Sequence, residues 1–127
     1  MCKGDVATMN QDIMDLVRRH CATLRQEFSE ADTRFAALNG GSDPARVEAL
    51  TAQAHKIKGS SGTLGFSTIS RHAERYEHTL RAMNARCLSG DDMAALRRMH
   101  TELGRTIAEI APEQSTLYQR MRGGPGA

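Results

Sequence analysis

The stretch AHKIKGSSGTLGF, residues 54–66, decides how the middle of this chain folds. It starts as helix-forming sequence and then places a glycine at every third position: Gly59, Gly62 and Gly65. A glycine inside a helix costs about 1 kcal/mol relative to alanine. The stretch is therefore either a flexible loop between two helices or a helix that carries its glycines for another purpose. Leu64 keeps the seven-residue register of Ile57, which favours the continuous helix.

Four segments of the chain have the periodicity of amphipathic helices, with apolar residues three and four positions apart. They run from Ile13 to Leu38, from Val47 to Leu64, from Ile69 to Met83 and from Met93 to Ile110. Glycine, proline and capping residues separate or end them, at Asn39 to Pro44, at Ser89 to Asp92 and at Pro112. None shows the two-residue alternation of a strand. The sequence predicts an all-α protein folded as an antiparallel, up-down-up-down four-helix bundle.

The chain of 127 residues is expected to form one domain. The bundle is assigned to residues 10–111, and its first helix is expected to span roughly 28 residues. Residues 1–9 are predicted to be a flexible N-terminal segment. The tail at 112–127, which ends in GGPGA, is predicted to be disordered.

Composition argues against several classes of protein. The net charge of +2 is too small to indicate nucleic-acid binding, and no apolar run is long enough to cross a bilayer. The N-terminus lacks the apolar segment of a signal peptide, so a cytoplasmic location is expected. Cys2, Cys21 and Cys87 are odd in number and widely spaced, which favours reduced thiols. His20 and His100 lie on apolar seams and are interpreted as buried, hydrogen-bonded histidines.

No metal site is expected. A zinc site formed by His20 and His100 with Cys21 and Cys87 is the alternative that these residue types allow.

His55 is the residue around which the glycines are arranged. At about 100° per residue, Gly59 and Gly62 fall within about 40° of His55, opposite the apolar seam, and Lys58 lies beside them. Helical side chains lean toward the N-terminus and would cover the preceding turn. Glycine at both positions therefore leaves the imidazole accessible to another protein.

Glu77 is the candidate partner of the His55 ring. If the turn between the second and third helices centres near Phe66, Glu77 lies at the height of His55 on the neighbouring helix. A carboxylate there would accept a hydrogen bond from one ring nitrogen, fix the tautomer and leave the other nitrogen as a nucleophile. The alternative is an ordinary surface glutamate.

The residues His55-Lys56-Ile57-Lys58-Gly59-Ser60-Ser61, followed by Leu64-Gly65, resemble the signature of histidine-containing phosphotransfer (HPt) domains. The continuation GTLGF is also similar to the phosphotransfer domain of chemotaxis histidine kinases. The resemblance covers most of the chain, since the four-helix arrangement and the glutamate that ends RHAERYE agree with it as well.

The resemblance implies that His55 is the phosphoacceptor and that Lys58 helps to neutralise the phosphoryl group. It also implies that Gly59 provides clearance and that Glu77 orients the ring. The sequence departs from the family pattern in the third helix. His72 stands where many relatives have an apolar residue, and two arginines make this helix unusually basic: Arg71 and Arg75.

The function that follows is that of a phosphoryl carrier in a two-component phosphorelay, exchanging phosphate between His55 and receiver-domain aspartates. The glycine spacing fits neither a kinase glycine loop nor a P-loop, so no autonomous kinase activity and no cofactor are expected. Mg²⁺ would be supplied by the receiver partner. A monomer is expected to bind a receiver domain or hybrid sensor kinase, with no nucleic acid or membrane. The predicted docking surface surrounds His55 and comprises Glu48, Thr51, Ala52, Lys58, Gly59, Gly62 and Phe66.

Phe66 in that set is either an apolar anchor for the partner or a core residue that caps the hairpin. Two further functions remain open. One is a detached domain that a separate ATP-binding histidine kinase phosphorylates directly, and the other is a helical adaptor that binds a kinase without accepting phosphate.

Overall fold

The computed structural model describes residues 2–38, 43–83 and 88–123, and all regular structure in these ranges is helical. The α-helices are α1 (Cys2–Ala36), α2 (Pro44–Thr63), α3 (Ser67–Met83), α4 (Gly90–Ala108) and α5 (Thr116–Gly123). A short 3₁₀ helix at Pro112–Gln114 precedes α5. Across the same ranges, no helix is long and apolar enough to span a membrane. The prediction of an all-helical fold is confirmed.

The ends of α2 show why the glycine-rich stretch is helical. Asp43 caps the N-terminus by accepting a hydrogen bond from the Ala45 N–H, and Pro44 occupies the first turn. The helix continues through Gly59 and Gly62 and ends only at Thr63. Gly65 then takes a φ of +86°, a left-handed conformation that glycine adopts at little cost. The continuous-helix interpretation is therefore correct, and the loop interpretation is not.

The N-terminus of α4 is a capping box. The Ser89 side chain accepts from the Asp92 N–H, and the Asp92 carboxylate accepts from the Ser89 N–H. This agrees with the predicted break at Ser89 to Asp92. The predicted turn at 39–42 lies outside the described residues.

The four long helices pack as a closed ring, in which α1 and α3 each contact both α2 and α4. The apolar seams predicted from the sequence meet inside this ring. Several of these apolar residues are completely buried, among them Val17, Leu24, Leu50, Ile57 and Leu96. The fold thus leaves the opposite faces of the helices for function.

A polar node runs from this core to exposed Asp32 on the surface and joins three helices. The Nε2 atom of buried His100 is 2.8 Å from Asp32 Oδ1, and its Nδ1 atom is 3.0 Å from the Tyr76 hydroxyl. Because an ionised carboxylate only accepts, Nε2 carries the proton and Nδ1 accepts from Tyr76. Phe28 and Phe35 stack on the ring. Burial raises the pKa of Tyr76, so its hydroxyl stays protonated and can donate.

His20 differs from His100. It is buried against the Phe66 ring, with centroids 5.9 Å apart, and its Nε2 atom has no hydrogen-bond partner among the described residues. Burial lowers its pKa, because the charged ring is poorly solvated there. The interpretation of a hydrogen-bonded core histidine therefore fits His100 but not His20 Nε2. No group of three or more potential metal ligands comes together in the described part of the chain.

Both chain ends differ from the sequence prediction. α1 already begins at Cys2, so residues 2–9 belong to a helix of 35 residues where a flexible segment was expected. Extending a helix from a packed section avoids the cost of nucleation, and no proline interrupts this stretch. In the tail, the 3₁₀ helix and α5 replace the predicted disorder over 112–123. Residues 124–127 lie outside the described ranges.

The reason for order in the tail is a small set of contacts with the bundle. Tyr118 is buried, and its hydroxyl accepts from Arg18 on α1 at 2.9 Å. The Ser115 hydroxyl donates to the Leu64 carbonyl at 2.6 Å and accepts from the Tyr118 N–H. The helix has eight residues with three apolar ones, Leu117, Tyr118 and Met121, and so short a stretch does not establish a period, which is why the sequence did not indicate this helix.

Gly104 on α4 should be intolerant of substitution. A Cβ at this position would lie 2.6 Å from Cζ of Phe28, the ring that stacks on His100. We expect Gly104→Ala to lower the free energy of unfolding by about 1–3 kcal/mol, measured by urea denaturation. Gly90→Ala, where a Cβ meets open space, is the matched control and should cost nothing. Equal stability of Gly104→Ala and wild type would contradict this account of the packing.

Candidate functional site

His55 projects from α2 into solvent, while its neighbour Ala54 and the following Ile57 are buried. The imidazole side chain is 60% exposed. One turn further on, a Cβ at Gly59 would meet no atom within 4 Å. The surface beside the ring is therefore open on the side from which a residue at 59 would cover it.

Glu77 on α3 forms a hydrogen bond with the His55 ring. Its Oε2 atom is 2.9 Å from His55 Nδ1, and the carboxylate is only 7% exposed. Since the ionised carboxylate accepts, Nδ1 carries the proton in the neutral ring. Nε2 keeps its lone pair and has no partner among the residues that the structure describes. The contact expected between positions 55 and 77 is present.

Two cationic side chains, Arg81 and Lys58, contact the same carboxylate. Arg81, one turn along α3, donates from Nη2 at 2.7 Å and from Nε at 3.0 Å to Oε2 of Glu77. Lys58 on α2 places Nζ 3.5 Å from Oε1. Arg81 was not identified from the sequence, although its four-residue spacing from Glu77 is the signal that would have found it.

These donors decide the charge of Glu77. Burial alone would raise its pKa, but the hydrogen bonds from Arg81 and His55, together with electrostatic interactions with His55 and Lys58, lower it overall. The carboxylate is therefore ionised at neutral pH. An ionised Glu77 is the form that accepts from Nδ1 and fixes the tautomer.

Some of the residues predicted to form the docking surface are exposed and others are buried. Glu48 and Ala52 are exposed and, at helical spacing, line up with His55 and Gly59 along one face of α2. Thr51 is buried, because its position on the helix turns it inward, and its hydroxyl donates to the Val47 carbonyl at 2.7 Å. Its side chain therefore does not belong to the exposed surface.

Phe66 is likewise 2% exposed, where the chain turns into the core after α2. The sequence left two roles open for Phe66, an apolar anchor for a partner or a core residue, and its burial shows that it is a core residue. This corrects its assignment to the docking surface.

Gly62 has a different environment from Gly59. A Cβ at Gly62 would lie 3.1 Å from Oγ of Ser70 on α3, and that hydroxyl donates to the Lys58 carbonyl at 2.9 Å. The missing side chain at 62 thus permits close packing of α3 on α2. Its effect on His55 is indirect, since this packing brings Glu77 within reach of the ring.

The arrangement leaves Nε2 of His55 free to act as a nucleophile, and the group that it would attack has to come from another molecule. A neutral imidazole with a free Nε2 atom attacks an activated acyl or phosphoryl group near neutral pH. Lys58 supplies a positive charge beside it. The open surface over Gly59 admits a reacting group carried by another protein.

The titration of Glu77 provides a test of this geometry. A ¹³C NMR titration of its carboxyl carbon should give a pKa below the ordinary 4.5. Arg81→Ala and His55→Gln should each raise that pKa, and Arg19→Ala on α1 is the control that should not. The ionised carboxylate should stabilise the fold above the unfolded-state pKa, and this contribution should disappear as the pH falls through the folded-state value. A Glu77 pKa of 4.5 or higher in the wild type would contradict the arrangement.

Comparison with known proteins gives one family. The Hpt domain family matches residues 11–106, a range that holds His55, Lys58, Gly59, Glu77 and Arg81. A search of curated proteins and a search of solved structures both found no match. The match covers more than half of the chain, and the protein therefore belongs to the Hpt domain family.

Proposed function

We propose that this protein is a phosphoryl carrier of a two-component phosphorelay, in which His55 exchanges phosphate with receiver-domain aspartates. Membership of the Hpt domain family gives a histidine phosphotransfer role in phosphorelays. The single observation that carries the choice of residue is the exposed His55 ring, bound at Nδ1 by Glu77 and open at Nε2. The cytoplasmic location and monomeric state expected from the sequence belong to this proposal.

The fold proposed with this function is the antiparallel, up-down-up-down four-helix bundle. Its support is the order of contacts between helices. On α2 and α3, His55 meets Glu77 while the later Lys58 meets the earlier Ser70. On α1 and α4, Phe28 meets Gly104 while the later Asp32 meets the earlier His100. Neighbouring helices that pair in this reversed order run in opposite directions.

In the proposed transfer step, the Nε2 lone pair of His55 attacks the phosphorus of an aspartyl phosphate. An N–P bond forms as the acyl P–O bond breaks, and the aspartate leaves with the electron pair as a carboxylate. The ring retains its Nδ1 proton and becomes positively charged. Glu77, 2.9 Å away, stabilises that charge, so it favours the phosphorylated ring and the transition state leading to it.

Lys58 acts on the phosphoryl group, whereas Glu77 acts on the ring. The Lys58 side chain is one third exposed and lies one turn from His55, where its ammonium group can meet the phosphoryl oxygens. The magnesium ion and the remaining charge stabilisation are assigned to the receiver domain. Glu48 and Ala52, exposed beside His55, would contact that domain.

The phosphoryl source is tested by labelling. We expect His55 to acquire acid-labile, base-stable phosphate from a ³²P-phosphorylated receiver domain, mapped by mass spectrometry. His55→Gln should acquire none. Labelling only by an ATP-binding histidine kinase core with ATP would favour the detached-domain alternative. Absence of label in both arms, with the fold intact by circular dichroism, would favour a non-phosphorylated adaptor and reject the carrier.

Gly59 tests access to the ring. Gly59→Leu adds a Cβ atom that has open space around it, so the fold should be kept, since leucine is also the better helix former. We expect transfer to His55 to slow by about tenfold or more, because a loss of about 1.4 kcal/mol of binding gives that factor. The control is Gly90→Leu, also in open space. Transfer by Gly59→Leu at the wild-type rate would show that partners do not approach over this residue.

A further inference from the structure

The outer side of α3 and α4 carries a groove rich in arginine. Three adjoining depressions form it, and neighbouring ones share Arg75 and Met99, or Arg98 and Glu102. We call it the α3–α4 groove. Its charged lining consists of five arginines and two glutamates: Arg71, Arg75, Arg97, Arg98, Arg105, Glu74 and Glu102. His72 and His78 lie in the same lining.

Four of the five arginines of the groove are not used by the fold, and the fifth, Arg97, lies over the Phe35 ring. Elsewhere on the surface, Arg18, Arg46 and Arg81 each pair with an acidic residue three or four positions away. Within the described ranges, four arginine side chains of the groove form no hydrogen bond or ion pair: Arg71, Arg75, Arg98 and Arg105. Four exposed guanidinium groups are therefore available to a ligand.

We propose that the α3–α4 groove binds an acidic, amphipathic segment of a partner protein. Guanidinium groups bind carboxylates through two parallel hydrogen bonds, and Arg75 and Arg98 lie on opposite walls of one depression. Met99 and Ala95 lie between them and are half-buried. An apolar side chain of the segment would lie on Met99, whose flexible thioether adapts to varied partners, while acidic residues on either side reach the arginines.

The mixed lining favours a protein over a polyanion of uniform charge. Glu74 and Glu102 stand among the arginines, and each would repel a continuous row of phosphates from nucleic acid or lipid. The formal net charge of the chain is only +2, so long-range attraction to such polymers is weak. An acidic segment can instead place neutral or basic residues opposite the two glutamates.

The groove and the His55 site occupy different sides of α3. Arg75 precedes Glu77 by two positions and so points about 200° away around the helix. A ligand in the groove leaves the imidazole uncovered, and a partner at His55 leaves the groove open. The proposal does not depend on phosphoryl transfer.

The test uses a fluorescein-labelled peptide of about four helical turns, with leucine at spacings of three and four and glutamate at the flanking positions. Fluorescence anisotropy should show binding to the full chain that weakens with salt. Arg75→Glu/Arg98→Glu should weaken binding by about tenfold or more, since each exposed pair is reversed in sign. Arg19→Glu/Arg120→Glu changes the net charge equally, outside the groove, and should bind as wild type.

Arg75→Gln/Arg98→Gln removes the charges without reversing them, and keeps the test valid if the double reversal fails to fold. His55→Gln should bind the peptide normally, which separates this proposal from the carrier function. Two outcomes would overturn the proposal. One is equal binding by the groove and control variants. The other is tighter binding of single-stranded DNA, or of phosphatidylglycerol vesicles, through Arg75 and Arg98.

Discussion

The carboxylate of Glu77 is the group on which the rest of the site depends. A buried charge is costly unless hydrogen-bond donors and opposite charges surround it. Here the donors come from two helices, with Arg81 on the same helix and His55 and Lys58 on α2. The interactions that keep Glu77 ionised therefore also fix the register of α2 against α3. A displacement of α2 by one helical turn, about 5.4 Å, would remove the donors from α2 and leave the charge poorly compensated.

The position of α3 is set from both of its sides. Tyr76 points into the core and hydrogen-bonds His100, which in turn binds Asp32 on α1. The next residue, Glu77, points to the His55 ring. Gly62 and Ser70 bring the two helices close together at the end of α2. A polar node and a close helix contact thus support one surface hydrogen bond, which holds the His55 imidazole in a fixed orientation.

Much of this could be predicted from the sequence because periodicity and capping act locally. The spacing of Ile57 and Leu64 indicated that α2 continues through its glycines, and counting outward from the turn placed Glu77 opposite His55. What failed depends on the direction of individual side chains. Thr51 turns inward on α2, and Phe66 enters the core from the turn between α2 and α3, so both are buried. The role of Gly62 could not be found either, because the constraint comes from Ser70 on another helix.

The segment after α4 shows a limit of predicting domain boundaries from a family match. Ser115 hydrogen-bonds the Leu64 carbonyl, the Gly65 carbonyl accepts from the Thr116 N–H, and Tyr118 is 4% exposed. The family match ends at residue 106, before Ser115, Thr116 and Tyr118. Homology alone would thus set the boundary of the folded unit too early. A recombinant fragment trimmed to that boundary would expose the part of α1 that α5 covers. It would also lose the hydrogen bonds from Ser115 and Thr116 that hold the turn after α2.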